Sequence, residues 1–537
     1  MAFDVIVVGA GSTGASLAAR LSERPSRSVL LLEAGPDYER VEDFLPELLD
    51  PTGSAGALPG NPASWAMHGA FAPGFNVPVT RGKVIGGSSS INGAYFVRGL
   101  RQNFDEWAKM GFDAWSYDQV LPFFRKLETD SDFPGPPPHG DSGPIYVRRE
   151  PESRSPVFIP AFTEACLSLG FPAEPDKNAE GQGFGVGPVP LNIHNGMRWG
   201  TALGYILPAR DRPNLTIQGN AFVRRVLIEH GRAYGVEVDV RGKRVTYEGG
   251  EIVVSAGGLR DPHLLMHSGI GPADHLRSHG ITVVADLPGV GQNLMDHPEL
   301  VSNYDLPEPH PRMKGAGSIG PAVHWTADGS SEPSDLEIFP FLRTTFNLMN
   351  PWQGFKRPIR TLKALSGTSL RAVIAHSKAK GTGSTVLGLQ QECSRGTVTL
   401  RSGNPEDDPW IDYKFLTEAR DLARFREMVR TYWQIFQAKP LKKAGCGLVD
   451  LATDDMADDA ALNAWIRAHL KIAGHPGSTC RMGHDRDELA VVDQYGRVRG
   501  IDGLRVAGTS IWPKLPSRGP NASAIMTGER MTAFFDG

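Results

Sequence analysis

The stretch DVIVVGAGSTGASLAARLSE (residues 4–23) constrains the fold of this 537-residue chain more than any other. An apolar β-type run leads into the glycines Gly9, Gly11 and Gly14, and a helix-type pattern follows them. A second apolar run ends at Glu33, 19 positions after Gly14. Glycines at this spacing between a strand and a helix, with an acidic residue about 20 positions further on, are typical of a dinucleotide-binding βαβ unit. We therefore predict an α/β fold (α+β overall) with a Rossmann-like domain.

The glycines of this unit have different physical tasks. Gly9 permits the tight turn, Gly11 lets the backbone approach a pyrophosphate, and Gly14 lets helix and strand pack closely. The N-terminus of the helix offers free N–H groups to the phosphates. Glu33 is expected to accept hydrogen bonds from ribose hydroxyls, and its charge disfavours the 2′-phosphate of NADP. The fingerprint by itself leaves NAD and FAD both open.

Composition excludes several classes of protein. The formal net charge of −4 gives no basis for nucleic-acid binding. No apolar run reaches the roughly 18 residues of a membrane span, and the opening residues lack the pattern of a secretory signal. The length favours more than one domain. Four scattered cysteines without CxxC spacing indicate reduced thiols in a cytoplasmic protein; they are Cys166, Cys393, Cys446 and Cys480.

Four further stretches resemble the glucose–methanol–choline (GMC) oxidoreductase family. RGKVIGGSSSINGAYFVRG (residues 81–99) resembles its first signature. SAGGLRDPHLLMHSGIG (255–271) resembles the second, usually closer to GAxxSPxLLxxSGIG, from which Gly258 and Asp261 depart. PGVGQNLMDHP (288–298) is another family stretch. AVVDQYGRVRGIDGLRVAGTSIWP (490–513) also matches, with Gly508 where many members have an acidic residue.

This resemblance covers nearly the whole chain and implies FAD as the cofactor. Some members attach FAD through a histidine just before the asparagine of the first signature. Ile91 stands there, so we predict noncovalent FAD. The resemblance also implies a flavin domain built from separate segments around a substrate domain of antiparallel sheet and helices. The predicted FAD-binding segments are 1–150, 196–304 and 473–537, with 151–195 as a connecting or substrate-domain segment and 305–472 as the substrate-binding domain.

Most of the residues expected to contact FAD lie in family motifs, and Val223 lies outside them. The run GGSSSING allows backbone amides to approach a planar, partly anionic ring without collision with side chains. The expected contacts are Gly9, Gly11, Ser12, Thr13, Gly14, Glu33, Ala34, Gly82, Gly86, Gly87, Ser88, Asn92, Gly93, Ala94, Val223, Ala256, Gly508 and Asn521.

The resemblance also locates two catalytic residues. His475, in HPGSTCRMG, takes the place of the family's catalytic histidine, and Asn521, in PSRGPNASAIMTGER, falls at the second catalytic position. Oxidation of an alcohol removes a hydroxyl proton and a hydride, and the flavin accepts the hydride. An imidazole can take the proton near neutral pH, and an amide can donate a hydrogen bond to the developing oxyanion. The chain is therefore expected to oxidise an alcohol to a carbonyl.

Other interpretations stay open at this point. A lone histidine is more often a hydrogen-bonded core residue. A metal site of His475, Cys480 and His484 fits no standard zinc spacing, so no metal is predicted and Cys480 is expected to be a packed thiol. Within the family, an oxygen-using oxidase, a dehydrogenase with another electron acceptor and a non-redox lyase all stay open. The pair of His475 and Asn521 favours redox chemistry.

The substrate is expected to be a small-molecule alcohol. GGSSSINGAYFVRGL, HGDSGPIYVRRE, GVGPVPLNIHNGMRWG and PSRGPNASAIMTGER resemble mycofactocin-associated members, which would link the reaction to a peptide-derived redox cofactor. WQGFKRPIRTLKALSGTSLR (352–371) is a basic, partly amphipathic patch. It is interpreted as a solvated face or a lid, or else as a dock for an anionic substrate, a membrane surface or an electron-accepting partner.

Three local patterns complete the analysis. TVTLRSGNPEDDPWIDYKFL (397–416) predicts β-structure with a turn. The proline-rich stretch DFPGPPPHGDSGP (132–144) predicts a hinge or stiff surface linker, with a docking peptide for a partner as the alternative. EARDLARFREMVRTYWQIFQAKP (418–440) predicts a helix whose apolar face packs in a core; that face carries Leu422, Phe425, Val429, Tyr432 and Phe436.

Overall fold

A computed structural model describes residues 2–53, 55–72, 75–135, 138–154, 157–181, 183–308, 315–342 and 381–535. The basic patch at 352–371 lies outside the described residues, and its predicted roles stay predictions. None of the described helices is long and apolar enough to cross a membrane.

The strands of the described ranges are, in chain order, β1 (Phe3–Val8), β2 (Val29–Leu32), β3 (Ser64–Ala72), β4 (Phe75–Gly82), β5 (Glu128–Asp130), β6 (Ile145–Val147), β7 (Gly185–Gly187), β8 (Ile193–His194), β9 (Met197–Arg198), β10 (Leu215–Gln218), β11 (Ala221–Glu229), β12 (Arg232–Val240), β13 (Lys243–Val254), β14 (Ile270–Gly271), β15 (Ala285–Asp286), β16 (Pro298–Leu306), β17 (Ala322–Trp325), β18 (Leu336–Phe341), β19 (Gly381–Leu389), β20 (Thr397–Thr399), β21 (Trp410–Asp412), β22 (Gly447–Leu448), β23 (Leu470–Ile472) and β24 (Leu504–Val506).

The α-helices of the same ranges are α1 (Ser12–Leu21), α2 (Pro46–Leu49), α3 (Arg101–Lys109), α4 (Tyr117–Leu127), α5 (Phe158–Ser168), α6 (Leu207–Ala209), α7 (Arg260–His267), α8 (Ala273–Ser278), α9 (Ala419–Gln437), α10 (Lys439–Lys443), α11 (Asp459–His469) and α12 (Asn521–Thr532). A π-helical turn spans Ala202–Ile206, and short 3₁₀ turns include Gly87–Ser90 and Thr509–Ile511.

The first sheet is built around buried parallel strands. Val5–Val8 and the whole of β2 are buried apolar runs, the pattern of strands that are covered on both faces. The parallel strands lie in the order β10, β2, β1, β13 and β24. Strand β13 also continues into an antiparallel meander with β12 and β11. Strand β1, helix α1 and strand β2 form the predicted βαβ unit, so the Rossmann-like fold is confirmed.

The last helix, α12, packs on α1, next to the glycine-rich loop. Ser12 Oγ donates to Asn521 Oδ1 at 3.2 Å, and Thr13 Oγ1 donates to the Ala524 carbonyl at 2.8 Å. A Cβ on Gly528 would lie 2.5 Å from the Thr13 carbonyl oxygen, so the two helices are in close contact there. The C-terminal segment is thereby anchored over the first turn of α1.

The second sheet is antiparallel. Its strands lie in the order β22, β16, β19, β18, β17 and β7, with β23 also paired to β16. Helix α9 packs against β18 and β19. The predicted apolar face of α9 is confirmed as core packing: Leu422 is partly buried against this core, and the buried members are Phe425, Val429, Tyr432 and Phe436.

The opposite face of this sheet carries a smaller apolar cluster. Ile338 and Leu387 belong to the core with α9, whereas their chain neighbours Phe339 and Val386 belong to the second cluster. Successive side chains of a strand point to opposite faces, so the second cluster lies on the face away from α9. Tyr95, from the first signature, packs against it.

A third sheet brings together distant parts of the sequence. Its strands lie in the order β20, β21, β3 and β4, with β21 parallel to β3. Strands β20 and β21 pair antiparallel, which confirms the β-structure predicted over 397–416.

The proline-rich stretch 132–144 is not a free linker over its described part. His139 is buried, with Nδ1 3.1 Å from Glu128 Oε1 and Nε2 2.7 Å from Asp176 Oδ2. Arg149 donates to both Asp130 and Asp176. These ion pairs hold the chain in place and are not visible in its proline content. The predicted hinge is therefore wrong for residues 138–144.

The strand pairing bears on one predicted domain boundary. The boundary between 304 and 305 falls within β16, which pairs with β19 from Glu299 to Leu306. By this pairing, the chain joins the antiparallel sheet before residue 304. The other boundaries stay predictions.

Candidate active site

The glycine-rich loop after β1 forms one wall of the candidate cofactor site. Gly9 has a φ of +101°, which L side chains rarely adopt, and a Cβ there would strike the Ser255 carbonyl oxygen. A Cβ on Gly14 would strike the carbonyl oxygen of Gly9. A Cβ on Gly11, by contrast, would meet no described atom within 4 Å. Packing therefore requires glycine at positions 9 and 14, whereas Gly11 faces the kind of space that a pyrophosphate needs.

The start of the GGSSSING run lies directly against this loop. The Gly86 N–H donates to the Ala10 carbonyl at 2.8 Å, and a Cβ on Gly87 would lie 2.6 Å from Gly11 Cα. Both glycines have positive φ, +84° and +53°. The structure thus brings the two glycine-rich runs into one wall, as two motifs of a single cofactor site require.

The rest of this run turns through local hydrogen bonds. The Gly82 N–H donates to Ser88 Oγ at 3.2 Å, and the Ala94 N–H donates to Asn92 Oδ1 at 3.0 Å. Ala94 has a φ of +60°, and a Cβ on Gly93 would be in ordinary contact with an isoleucine of the apolar cluster, 3.5 Å away. The run therefore leads from the glycine-rich loop to the apolar face of the second sheet.

Glu33 is buried and already bonded to the main chain. Its Oε2 accepts from the Ala10 N–H at 3.0 Å, and its Oε1 accepts from the Gly35 N–H at 2.8 Å. Burial raises the pKa of Glu33 to about 7 despite these donors. Each oxygen keeps a second lone pair for a ribose hydroxyl. The ribose contact stays a prediction, as does the contact of partly exposed Ala34, and the main-chain role of Glu33 is new.

The start of β11 lies beside the end of β2. The Ala221 N–H donates to the Glu33 carbonyl at 2.8 Å, and the Asn220 N–H donates to the Gly35 carbonyl at 2.7 Å. Val223 follows two residues later and is partly exposed, and the register of β11 with β12 shifts just after it. The predicted contact Val223 is thus brought near Glu33.

Two more predicted contacts approach α1 from other segments. The Ala256 N–H donates to Asp261 Oδ1 at 2.6 Å. A Cβ on Gly508 would lie 3.8 Å from both Asp261 Oδ2 and Thr13 Oγ1. Predicted cofactor residues of the glycine-rich loop and of the segments with Gly508 and Asn521 therefore lie together around the first turn of α1.

The His475 ring and its flanking main chain are both held. The His475 N–H donates to Asp296 Oδ1 at 2.7 Å, and the Arg81 guanidinium donates to the Gly474 carbonyl. His475 Nδ1 lies 3.0 Å from His297 Nδ1, with the two rings at 84°. Nε2 makes no hydrogen bond to any described residue. The ring is therefore oriented through Nδ1, and Nε2 stays free.

The surroundings keep this imidazole neutral. Burial lowers the pKa of His475 well below its ordinary value, and His297 and Arg81 lower it further. Burial also lowers the pKa of His297 to about 4. When two neutral imidazoles meet through Nδ1, one must donate and the other accept. If His475 donates, its Nε2 carries the lone pair and can accept a proton.

Asn521 offers a hydrogen-bond donor without a partner. It begins α12, and its Nδ2 is buried with no hydrogen-bond partner in the part of the chain that the structure describes. Such an unpaired donor costs about 1–3 kcal/mol and indicates that an acceptor from a ligand belongs there. A Cβ on Gly519, two residues earlier, would lie 3.6 Å from His475 Cε1. The structure therefore brings the segment of Asn521 against the His475 ring.

An aromatic wall, formed by Tyr95, Phe339 and Phe341, borders the same place. A Cβ on Gly519 would lie 3.0 Å from Tyr95 Cδ1. The ring centroids of Tyr95 and Phe339 are 6.1 Å apart, and those of Phe339 and Phe341 are 5.5 Å apart. The Tyr95 hydroxyl donates to Glu337 Oε1 at 2.7 Å, which fixes the ring. A molecule next to His475 would thus have an apolar neighbour.

The metal alternative has no geometric support. His484 stacks on Phe112, with ring centroids 5.1 Å apart, and its Nε2 lies 2.6 Å from the Met110 carbonyl oxygen. Cys480 is a buried free thiol, and burial raises its pKa well above the ordinary value. His475 is paired to another histidine and His484 to Phe112, so the two histidines have separate partners. The prediction of a packed thiol at Cys480 is confirmed.

Comparison with known proteins decides the family. Two family models, each described as GMC oxidoreductase, match residues 3–299 and 393–528. The chain belongs to the GMC oxidoreductase family. It is 35% identical to an uncharacterised GMC-type oxidoreductase in the thcA 5′ region of Rhodococcus erythropolis, over 99% of this chain and 98% of the relative. It is 36% identical to an oxygen-dependent choline dehydrogenase of Rhizobium rhizogenes, over 99% and 95%. The crystal structure of pyridoxine 4-oxidase from Mesorbium loti matches with a TM-score of 0.87 and 29% identity, over 99% of both chains.

This GMC oxidoreductase is accordingly an FAD-dependent enzyme of the alcohol-oxidising type. The residues fit the cofactor: open space adjoins Gly11, the N-terminus of α1 points to it, and Asn521 Nδ2 lacks an acceptor. Ile91 is 3% exposed and has no group that could bond to a flavin, in line with noncovalent FAD.

The residues that orient His475 were missed by the sequence analysis. Asp296 and His297 lie in the quoted stretch PGVGQNLMDHP, and Arg81 opens the first signature. Their presence in family motifs was the one available signal, because nothing in their local sequence indicates that they reach residue 475.

Proposed function

We propose that this chain oxidises the CH–OH group of an alcohol to a carbonyl, with His475 as the base and Asn521 as a hydrogen-bond donor to the substrate oxygen. One observation carries the proposal: the neutral imidazole of His475, whose Nε2 is free, lies against the segment that bears the unpartnered amide of Asn521. FAD, when bound, accepts the hydride that leaves the substrate carbon. The chain's own task is to hold the hydroxyl proton at Nε2 and to stabilise the oxygen.

The neighbours of His475 suit this task. Once Nε2 holds the proton, the ring is positively charged, and His297 Nδ1 can accept the hydrogen bond from its Nδ1. Asp296 lies beside the same residue, and burial raises the pKa of this carboxyl to about 7. A carboxyl that titrates near neutrality can adjust its charge when the imidazole changes its own.

Two variants and a control test the assignment. In His475→Ala, FAD should stay bound while anaerobic reduction by alcohol slows by about 10²–10⁴-fold. In Asn521→Ala, the loss of an oxyanion donor should slow the same step by about 10²–10³-fold. His484→Ala is the matched control, because this histidine directly follows the same motif and stacks on Phe112. Unchanged reduction in either variant would remove that residue from the mechanism.

We further propose that the alcohol carries an apolar or aromatic body. The aromatic wall beside His475 supports this, and the similar pyridoxine 4-oxidase is named for an aromatic substrate. Primary aromatic alcohols should therefore bleach the flavin faster than aliphatic alcohols of equal size. Phe339→Ala should weaken this preference, and an unaltered preference would contradict the role of the wall.

A second candidate is an alcohol with a cationic group, as in the relatives named choline dehydrogenases. Glu299 is partly buried, and desolvation together with the charges of Glu337 and Asp296 raises its pKa well above the ordinary range. A bound cation would relieve this repulsion. If choline reduces the flavin and Glu299→Gln abolishes that reduction, the cationic substrate is favoured over the aromatic one.

The same assay distinguishes the possible electron acceptors. Bleaching by alcohol without air distinguishes an oxidoreductase from a lyase that uses FAD structurally. Rapid recolouring on admission of air identifies an oxidase, whereas slow recolouring supports another acceptor, including the mycofactocin link proposed from the four sequence stretches. The four free cysteines support a cytoplasmic location, which stays a proposal.

A further inference from the structure

Arg81, near the end of β4, carries a guanidinium that has no carboxylate partner. Its Nη1 donates to the Gly474 carbonyl oxygen, directly before His475. Within the described ranges the guanidinium makes no second hydrogen bond and no ion pair. A guanidinium has five N–H donors and accepts no hydrogen bond. Most of the donors of Arg81 are therefore available to a ligand.

The accessible part of Arg81 faces an enclosed space. The residue is partly exposed, and its Nε and Nη2 do not belong to the buried atoms that lack a partner. Burial nevertheless lowers the pKa of Arg81, whereas a guanidinium at the open surface would keep its hydration and its ordinary pKa. His475 shows the same combination of partial exposure and a pKa lowered by burial. The two side chains therefore border an enclosed space in the candidate active site.

Asp296 does not neutralise this guanidinium. Its Oδ1 accepts from the His475 N–H at 2.7 Å, and burial raises its pKa to about 7, so the carboxyl is only partly charged near neutral pH. Burial lowers the pKa of Arg81 more than Asp296 raises it. The charge of Arg81 in turn lowers the pKa of His475. An excess positive charge is thus present beside the imidazole, and a bound anion would offset the cost of burying it.

We propose that Arg81 makes the space beside His475 a binding site for an oxyanion. The planar fork of a guanidinium matches the paired oxygens of a carboxylate or a phosphate. Two sources can supply such oxygens: the carboxylate of a molecule in the substrate space, and the pyrophosphate of FAD. In both cases Arg81 is a binding residue and takes no proton. The inference shares its site with the proposed function, but it does not require that the bound molecule be oxidised.

A charged probe and its neutral counterpart isolate the contribution of Arg81. Benzoate and benzamide have nearly the same shape, both suit the aromatic wall, and only benzoate is an anion. FAD-loaded protein of full length is titrated with each probe, and the dissociation constant is read from the change in the flavin absorption spectrum. The wild type should bind benzoate about tenfold or more tightly than benzamide, and Arg81→Met should abolish this preference. Because a loosened site would weaken both probes alike, the ratio of the two constants reports the charge.

The apoprotein distinguishes the two sources of the oxyanion. Apoproteins are titrated with FAD, and the dissociation constant is read from flavin fluorescence. If Arg81 serves a separate carboxylate, Arg81→Met should change this constant by less than about threefold. If the pyrophosphate occupies Arg81, the variant should raise the constant by about tenfold or more, and the loaded wild type should not distinguish benzoate from benzamide. Arg232→Met is the matched control and should leave both readouts unchanged, because Arg232 likewise donates to a glycine carbonyl, that of Gly250, at 3.0 Å.

Two results would overturn the proposal. One is equal affinity of the loaded wild type for both probes together with unchanged FAD affinity in Arg81→Met. The other is a preference for benzoate that survives in Arg81→Met. Circular dichroism of the apoprotein shows whether this variant folds; if it does not, Arg81→Gln, which keeps N–H donors for the Gly474 carbonyl, takes its place. If neither variant folds, calorimetry of the wild-type apoprotein decides, because Arg81 is free there in both cases, and equal affinities for benzoate and benzamide would reject the site.

Discussion

Replacing His297 with leucine should slow the oxidation of alcohol without releasing FAD. In the proposed tautomer, His475 donates from Nδ1 to His297 Nδ1 across 3.0 Å and keeps its Nε2 lone pair for the proton. Leucine has no acceptor, so the ring loses the group that fixes its tautomer. The pKa of His297 is about 4, so the variant removes a neutral acceptor and not a charge.

The magnitude follows from the charge that His475 acquires. A hydrogen bond to a charged group contributes about 1.5–3 kcal/mol. Since about 1.4 kcal/mol corresponds to tenfold in rate, reduction should slow by about 10- to 150-fold. His297 is 0% exposed, and leucine is an apolar side chain of similar size, so the fold should be kept.

The assay is anaerobic stopped-flow reduction of the bound flavin at saturating alcohol, compared with His297→Asn. The amide oxygen of asparagine can take the place of Nδ1 as an acceptor, so this variant should lose much less rate than the leucine variant. A leucine variant that is reduced as fast as the wild type would refute the reasoning. Equal slowing of both variants would show that packing at this position, and not the acceptor, orients the ring.

Three further predictions concern FAD binding and stability. Gly11→Ala should weaken FAD binding but leave the melting temperature of the apoprotein unchanged, because the new Cβ meets no described atom. Gly14→Ala should lower the melting temperature of the apoprotein itself, because the new Cβ strikes a carbonyl oxygen. Burial raises the pKa of Glu33 to about 7, and ribose hydroxyls favour its charged form. FAD affinity should therefore rise by at most about tenfold per pH unit as pH passes through that value. Fluorescence titration of Glu33→Gln should find a weaker dependence of FAD affinity on pH. Burial opposes the charge of His139, but hydrogen bonds from its ring to three carboxylates raise its pKa to about 10. Its contribution to stability, at most about 5 kcal/mol, is full below about pH 6.5 and is lost as pH rises through 10. Urea unfolding of His139→Gln should therefore show a flatter fall of the free energy of unfolding over that range, and a slope equal to that of the wild type would contradict this origin.

What could be predicted from the residues alone, without the family resemblance, is local. The turn at Gly9, the β1–α1–β2 unit and the apolar face of α9 depend on residues within a few turns of one another, and each is confirmed. The contacts that orient His475 are not local. Its hydrogen bonds to Asp296 and His297 join positions that are 179 and 178 residues apart, and only the packing of the second sheet brings them together.

The same limit explains the error at residues 138–144. Proline and glycine in that stretch indicate a turn-rich path, but the ring of His139 is fixed by Glu128 and by Asp176, which lies 37 positions away. Backbone chemistry predicts the path of a loop, whereas its attachment depends on side-chain charges from other elements. Proline content alone therefore does not distinguish a hinge from a clamped loop.

The three buried carboxyls of the site have a common consequence for the pH dependence of stability. Burial raises the pKa of Glu33, Asp261 and Asp296 to about 7, 8 and 7, against ordinary values near 4. The folded protein holds these protons more tightly than the unfolded chain does, so their stabilising contribution is full below about pH 4 and is lost as pH rises through 7 to 8. FAD that pairs with the charged form of Glu33 would offset part of this loss. The melting temperature of the apoprotein should therefore fall more steeply than that of the FAD-bound protein between about pH 5 and about pH 8. Parallel curves in calorimetry would mean that the protonation of these carboxyls is not coupled to the cofactor.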